Sequence, residues 1–313
     1  MHPAFSVIFL TTLIGAGQGL FLALYALDVL ARHGYLDTPL PASLVVSGAL
    51  VAVALVALGL VASFFHLGRP ERAWRAAAMW RTSWLSREVI ALPLFMALLV
   101  AYALAHAVAP RWVPLVGALG VVACLALFVC TGMIYACLKF LQEWASPLTL
   151  VNFALLGLAS GTTAAAALAA VWSPRLANGL ALTAAVVTVA GLVARAASLA
   201  RNARLRPRST PQSAIGVKHP RVVQKAQGFM GSSFNTREFF HGASPARLLA
   251  IKRGFLALAF VVPVALLLLG VGGGWPALFA LAFAAQYAGL IAERWYFFAQ
   301  ANHPQNIYYQ AMS

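Results

Sequence analysis

Apolar stretches of about 20 residues, the length a helix needs to cross a hydrocarbon core, recur along this chain near 5–29, 43–65, 88–109, 113–136, 148–171, 176–199, 254–271 and 275–298. Few folds tolerate that recurrence. In lipid every backbone donor and acceptor must be satisfied internally, and spans this long are helices rather than barrel strands. The expectation is an all-α fold, a polytopic membrane helical bundle with eight transmembrane helices in which residues 1–313 form a single integral-membrane domain. Composition agrees: 9% of residues are charged, against roughly 25% in soluble domains. The first stretch, "FSVIFLTTLIGAGQGLFLALYAL", has no basic segment before it and no small-residue cleavage pattern after it. It therefore reads as a retained helix and not as a removable signal. The connections at Pro110 and at "WSPR" (172–175) are short enough to require antiparallel neighbours.

Charge sets the expected orientation. With the N-terminus in the cytoplasm, the loops after the second, fourth and sixth spans and the C-terminus face the same side. All of the 22 Lys and Arg residues then fall on that side except Arg32, Arg111 and Arg175. Such asymmetry predicts both termini in the cytoplasm. Most of the formal charge of +15 lies in the loop 200–253. Its mixture of bases with "GFMGSSFNTREFF" reads as a surface for partner docking and for anionic lipid. A polytopic setting argues against nucleic acid as the partner.

The chemistry-bearing residues are sparse. Cys124, Cys130 and Cys137 share one predicted helix without a C-x-x-C spacing, so they read as packing residues, with no iron–sulfur or zinc framework. Histidines at membrane depth would be needed for haem, yet His66 and His106 fall at opposite faces. No haem is expected in this chain.

The segment "SFFHLGRPERAWRAAAMWRTSWLSREVI" (63–90) stands apart. It places His66 at the end of the second span and Glu88 at the start of the third, with Ser86 as the expected N-cap and Glu88 in the first turn. Each residue alone has an ordinary reading: a capping carboxylate, an interfacial imidazole. Together they make a proton-handling pair near the membrane surface. That is what reduction of a quinone, an apolar ring with two carbonyl oxygens, requires. Arg69, Arg72 and Arg75 lie between them, and at least two of Trp74, Trp80 and Trp84 read as an interfacial belt. In the first span, Gly15, Gly17 and Gly19 read as close-packing positions around Gln18. Gln18 either lines a quinone cavity or bonds another helix, and Tyr135 is a comparable candidate.

The first span, the 63–90 segment and the eight-helix count together resemble the DmsC-type membrane anchor subunits of molybdopterin oxidoreductases, related to the NrfD/PsrC group. The resemblance implies a bacterial cytoplasmic (inner) membrane protein that exchanges electrons between quinone and a ferredoxin-like iron–sulfur subunit. That subunit in turn serves a molybdopterin catalytic subunit. It carries the quinone site onto His66 and Glu88, and less directly onto Arg72. Because the site shares its face with the basic loops, the chain is similar to the SoeC-like branch, which anchors cytoplasmic sulfite-oxidising complexes and implies ubiquinone rather than menaquinone. The alternatives are a quinol-oxidising anchor of a dimethyl sulfoxide reductase, a secondary transporter, and an anchor without a quinone site.

Overall fold

The computed structural model describes residues 4–208, 210–223 and 243–304. Eight long helices dominate: α1 (Phe5–Arg32), α2 (Ala42–Phe64), α3 (Trp84–Val108), α4 (Val113–Ala136), α5 (Pro147–Trp172), α6 (Pro174–Asn202), α7 (Pro245–Gly273) and α8 (Ala277–Ala299). Several begin at a proline in the first turn, where its missing N–H and fixed φ cost nothing. Pro147, Pro174 and Pro245 occupy such positions. The Ser146 and Ser244 hydroxyls cap α5 and α7 by accepting from backbone N–H groups. Gly274, at φ +68°, ends α7 in the left-handed conformation that a side chain would strain.

Two helix starts differ from expectation. α3 begins at Trp84 with Ser83, not Ser86, as its cap, since the Ser83 hydroxyl accepts from the Ser86 N–H at 3.3 Å. Glu88 therefore lies beyond the first turn, deeper in the bundle. α7 begins at Pro245, because the basic stretch "ARLLAIKR" extends the apolar span as helix. It then passes through a π-helical turn at Ala257–Val261. A short helix, Pro211–Ile215, lies in the 200–253 loop, whose "GFMGSSFNTREFF" stretch is outside the described residues.

Among the described residues, seven of the long helices are apolar enough to cross a membrane. α8 falls short of that standard; Gln286, Glu293 and Arg294 interrupt its apolar run.

α1 is the central helix. Of its apolar window 72% is buried inside the protein, against 33% for α3 and α7. It packs on α2 and α5, and also touches α4 and α8. Contact with α5 is backbone to backbone: a Cβ added at Gly161 would overlap the chain at Gly19, and one at Gly19 would overlap Gly157. Gly17 fits against Ala52 and Val56 of α2. Small residues let membrane helices approach closely enough for dispersion to hold them. This bears out the packing role expected of the "GAGQG" glycines.

One end of the bundle gathers the start of α1, the α4–α5 connection and the ends of α6 and α8. Arg201 donates to the carbonyls of Gln142 and Ala145, and the Trp144 indole N–H donates to the Phe297 carbonyl at 2.9 Å. Asn302 N–H donates to the Glu143 carboxylate. At the other end, Asp28 of α1 pairs with Arg32 at 3.3 Å and lies 3.7 Å from His106 of α3. The basic loops thus share an end with the start of α1 and the end of α8.

Candidate functional site

In the half of the bundle nearest the basic end, α1, α3, α4, α5 and α8 leave a narrow, partly open cavity. Its room is about 20 Å³ with the helices as they stand, enough for about one water molecule. Leu10, Ile14, Phe128, Phe153, Leu156 and Leu290 supply apolar walls. The hydroxyls of Thr11, Thr12 and Ser160 also line it, but each donates back to a carbonyl one turn earlier on its own helix.

Three longer polar side chains reach the cavity: Gln18, Glu88 and Arg294. Gln18 is 2% exposed, and its amide donates to the Cys124 carbonyl of α4 at 2.9 Å. Gln18 thus lines this cavity and bonds another helix at once. Glu88 accepts a hydrogen bond from the Thr131 hydroxyl of α4. That contact fixes one carboxylate oxygen of Glu88 beside the cavity.

Arg294 belongs to a buried ionic group that the sequence reading misses. Glu293 is 0% exposed, Arg195 1% and Arg294 3%. Arg195 Nε lies 2.7 Å from one carboxylate oxygen of Glu293, and Arg294 Nε lies 3.4 Å from the other. By position in the sequence Arg195 belongs with the charges of the basic loop; it is instead inside the bundle. The Arg294 guanidinium also stacks over the Phe153 ring at 3.9 Å and lies 5.4 Å from Phe297, a cation–π arrangement that partly replaces hydration. The available signal was the adjacent Glu–Arg pair within an apolar span, since ionisable residues at that depth are costly to place there.

The other expected site residues lie apart from the cavity lining. His66 follows the end of α2 as an exposed residue, its imidazole pKa held below the usual 6.5 by partial burial. Among the described residues, neither a hydrogen bond nor an ion pair joins it to Glu88. Arg72 sits in a 3-10 segment, Pro70–Met79, with its Nε 4.0 Å from the Glu71 carboxylate. Tyr135 packs in an aromatic cluster, its ring 5.5 Å from Trp144, 5.6 Å from Phe153 and 5.2 Å from Phe298. It stands behind the Phe153 wall and not in it. Between His66 and α3 the surface alternates arginine with tryptophan. Arg81 covers Trp80 at 5.3 Å and Arg87 covers Trp84 at 4.2 Å, while Trp74 is 71% exposed.

Comparison with known proteins bears on this arrangement. No solved structure matches the chain. It is 54% identical, over 100% of both chains, to a sulfite dehydrogenase subunit of Allochromatium vinosum. Residues 1–218, which hold His66, Arg72, Glu88, Gln18 and Tyr135 but not Arg294, match the DMSO reductase anchor subunit (DmsC) family. The chain belongs to that family of membrane anchor subunits.

Proposed function

We propose that this protein is the quinone-reactive anchor of a molybdopterin/iron–sulfur oxidoreductase, passing electrons from sulfite oxidation by cytoplasmic partner subunits to the quinone pool. The observation that carries the reading is the apolar cavity that holds Glu88 and Arg294 near the basic end of the bundle. Full-length similarity to a sulfite dehydrogenase subunit supports the choice of electron source. In this reading all eight helices cross the inner membrane, the buried ion pairs offset the polarity of α8, and both termini are cytoplasmic.

Sulfite and water yield sulfate with two electrons and two protons, and reduction of a quinone consumes two of each. The lining suits such a substrate in its chemistry, with apolar walls for the ring and polar atoms for its oxygens, and the helices part to admit it. The Glu88 carboxyl, steadied by Thr131, is placed to hold a proton and hand it to a ring oxygen. His66, exposed at the end of α2, relays protons inward from the surface. Arg72 orients charge at that entrance. Partners dock on the Trp/Arg surface between α2 and α3 and on the 200–253 loop, bringing iron–sulfur clusters to the cavity side.

The test uses the intact complex in its membrane. Glu88→Gln should lower sulfite-dependent reduction of decylubiquinone by at least about 100-fold, the usual weight of a positioned acid, while sulfite oxidation by an artificial dye stays normal. His66→Ala should do the same. Wild-type quinone turnover in both variants refutes the site.

A further inference from the structure

Two guanidiniums and one carboxylate share the buried group at Glu293, so one positive charge is left over. Which arginine carries the excess follows from geometry. Arg195 Nε, at 2.7 Å, is the closer partner of Glu293, whereas Arg294 Nε is at 3.4 Å. Arg294 lines the cavity and Arg195 does not. The Arg294 Nη1 nitrogen is buried and has no hydrogen-bond partner among the described residues. Arg195 Nη2 is also unmatched, but it does not reach the cavity lining.

A buried cationic donor without an acceptor is expensive. Its position accounts for that cost if the acceptor comes from outside. Glu88 is the other ionisable group on the cavity lining, and among the described residues no ion pair joins it to Arg294. The two therefore face one space from different helices, α3 and α8, with apolar walls between them.

Resting on the quinone reading above, the geometry points to Arg294 as the residue that binds one carbonyl oxygen of the quinone ring, through Nη1, while Glu88 attends the other. The walls decide the class of ligand. Phe128, Phe153, Leu156 and Leu290 suit a planar ring and give a free inorganic anion nothing to replace its hydration. Glu293 and Arg195 are positioning residues that hold the guanidinium in place. A guanidinium donates but never accepts, and it keeps its charge at any physiological pH. It therefore suits a carbonyl or anionic ring oxygen better than the protonated hydroxyl of the finished quinol, so the product should be held less tightly than the quinone.

Arg294→Gln leaves the Arg195–Glu293 pair charge-balanced, so the variant is expected to fold. The complex would be titrated with decylubiquinone and with the fluorescent quinol analogue 2-heptyl-4-hydroxyquinoline N-oxide. Arg294→Gln should raise the Kd of both about 10- to 100-fold, the loss expected when a charged donor is withdrawn from a buried acceptor. Arg294→Lys, which keeps the charge but not the fork, should fall between; if the Gln variant does not assemble, the Lys variant alone decides. Wild-type affinity in an assembled Arg294 variant overturns the assignment and leaves the quinone reading standing. Failure of the wild-type complex to bind either probe overturns both.

Discussion

Removing the carboxylate from the buried ionic group should be far more damaging than removing the cavity-facing arginine beside it. In Glu293→Gln, two guanidiniums that are 1% and 3% exposed lose their counter-charge. At an effective dielectric near 20, contacts of 2.7 and 3.4 Å represent about 6 and 5 kcal/mol of gross attraction respectively. Against that, the variant no longer buries a carboxylate, which saves several kcal/mol. The net expectation is a loss of about 3–5 kcal/mol, the range for breaking a buried pair from one side. In Arg294→Gln the remaining pair is neutral, and the loss should stay under about 1 kcal/mol, within the range of removing one modest hydrogen-bonded contact. The double variant returns the group to its original net charge and should recover part of the Glu293→Gln loss. Unfolding of the protein in nanodiscs, followed by tryptophan fluorescence in denaturant, would measure all four corners of the cycle. If Glu293→Gln costs no more than Arg294→Gln, the carboxylate is not the group's keystone and the charge argument is refuted.

Two further outcomes follow from the fold. Gly161→Leu should destabilise by at least about 1–3 kcal/mol, because its side chain would have to displace the α1 backbone at Gly19; equal unfolding midpoints in the same assay would refute the close crossing. A reporter fused after Ser313 should signal from the cytoplasm, since the end of α8 shares its side of the bundle with the basic loops; a periplasmic signal would instead fit the quinol-oxidising alternative.

Much of this fold was legible because helix length and hydropathy are local properties. The spans of α1, α2, α4, α5 and α8 fall within a few residues of expectation. α7 begins earlier than its hydropathy suggests: "ARLLAIKR" is too basic to register as membrane sequence, yet its alanines and leucines continue the helix. The start of α3 differs because Ser83 and Ser86 are both good caps, and only the backbone shows which one is used. The site was legible in part. Gln18 and Glu88 stand out as polar residues within or beside apolar helices, and both reach the cavity. Arg294 also reaches the cavity, but its place there depends on Arg195 meeting Glu293 from a helix remote in sequence, a matter of tertiary packing that the adjacent Glu–Arg pair only hints at. Among the described residues no hydrogen bond or ion pair joins His66 to Glu88, although the two have similar expected depth and only the α2–α3 connection separates them in the chain.

The central place of α1 has a consequence for how the protein is made. α1 is made well before the partners it packs on: Cys124 for Gln18, the Gly157–Gly161 face for Gly19, and Tyr287 for Thr12, whose hydroxyl lies 3.2 Å away at a separation of 275 residues. Until α4, α5 and α8 arrive, its amide, its threonines and its grooved glycine face confront lipid. Nascent chains that stall before α8 would expose that unfinished surface, and quality-control proteases or chaperones in the bilayer would have a clear mark by which to recognise them.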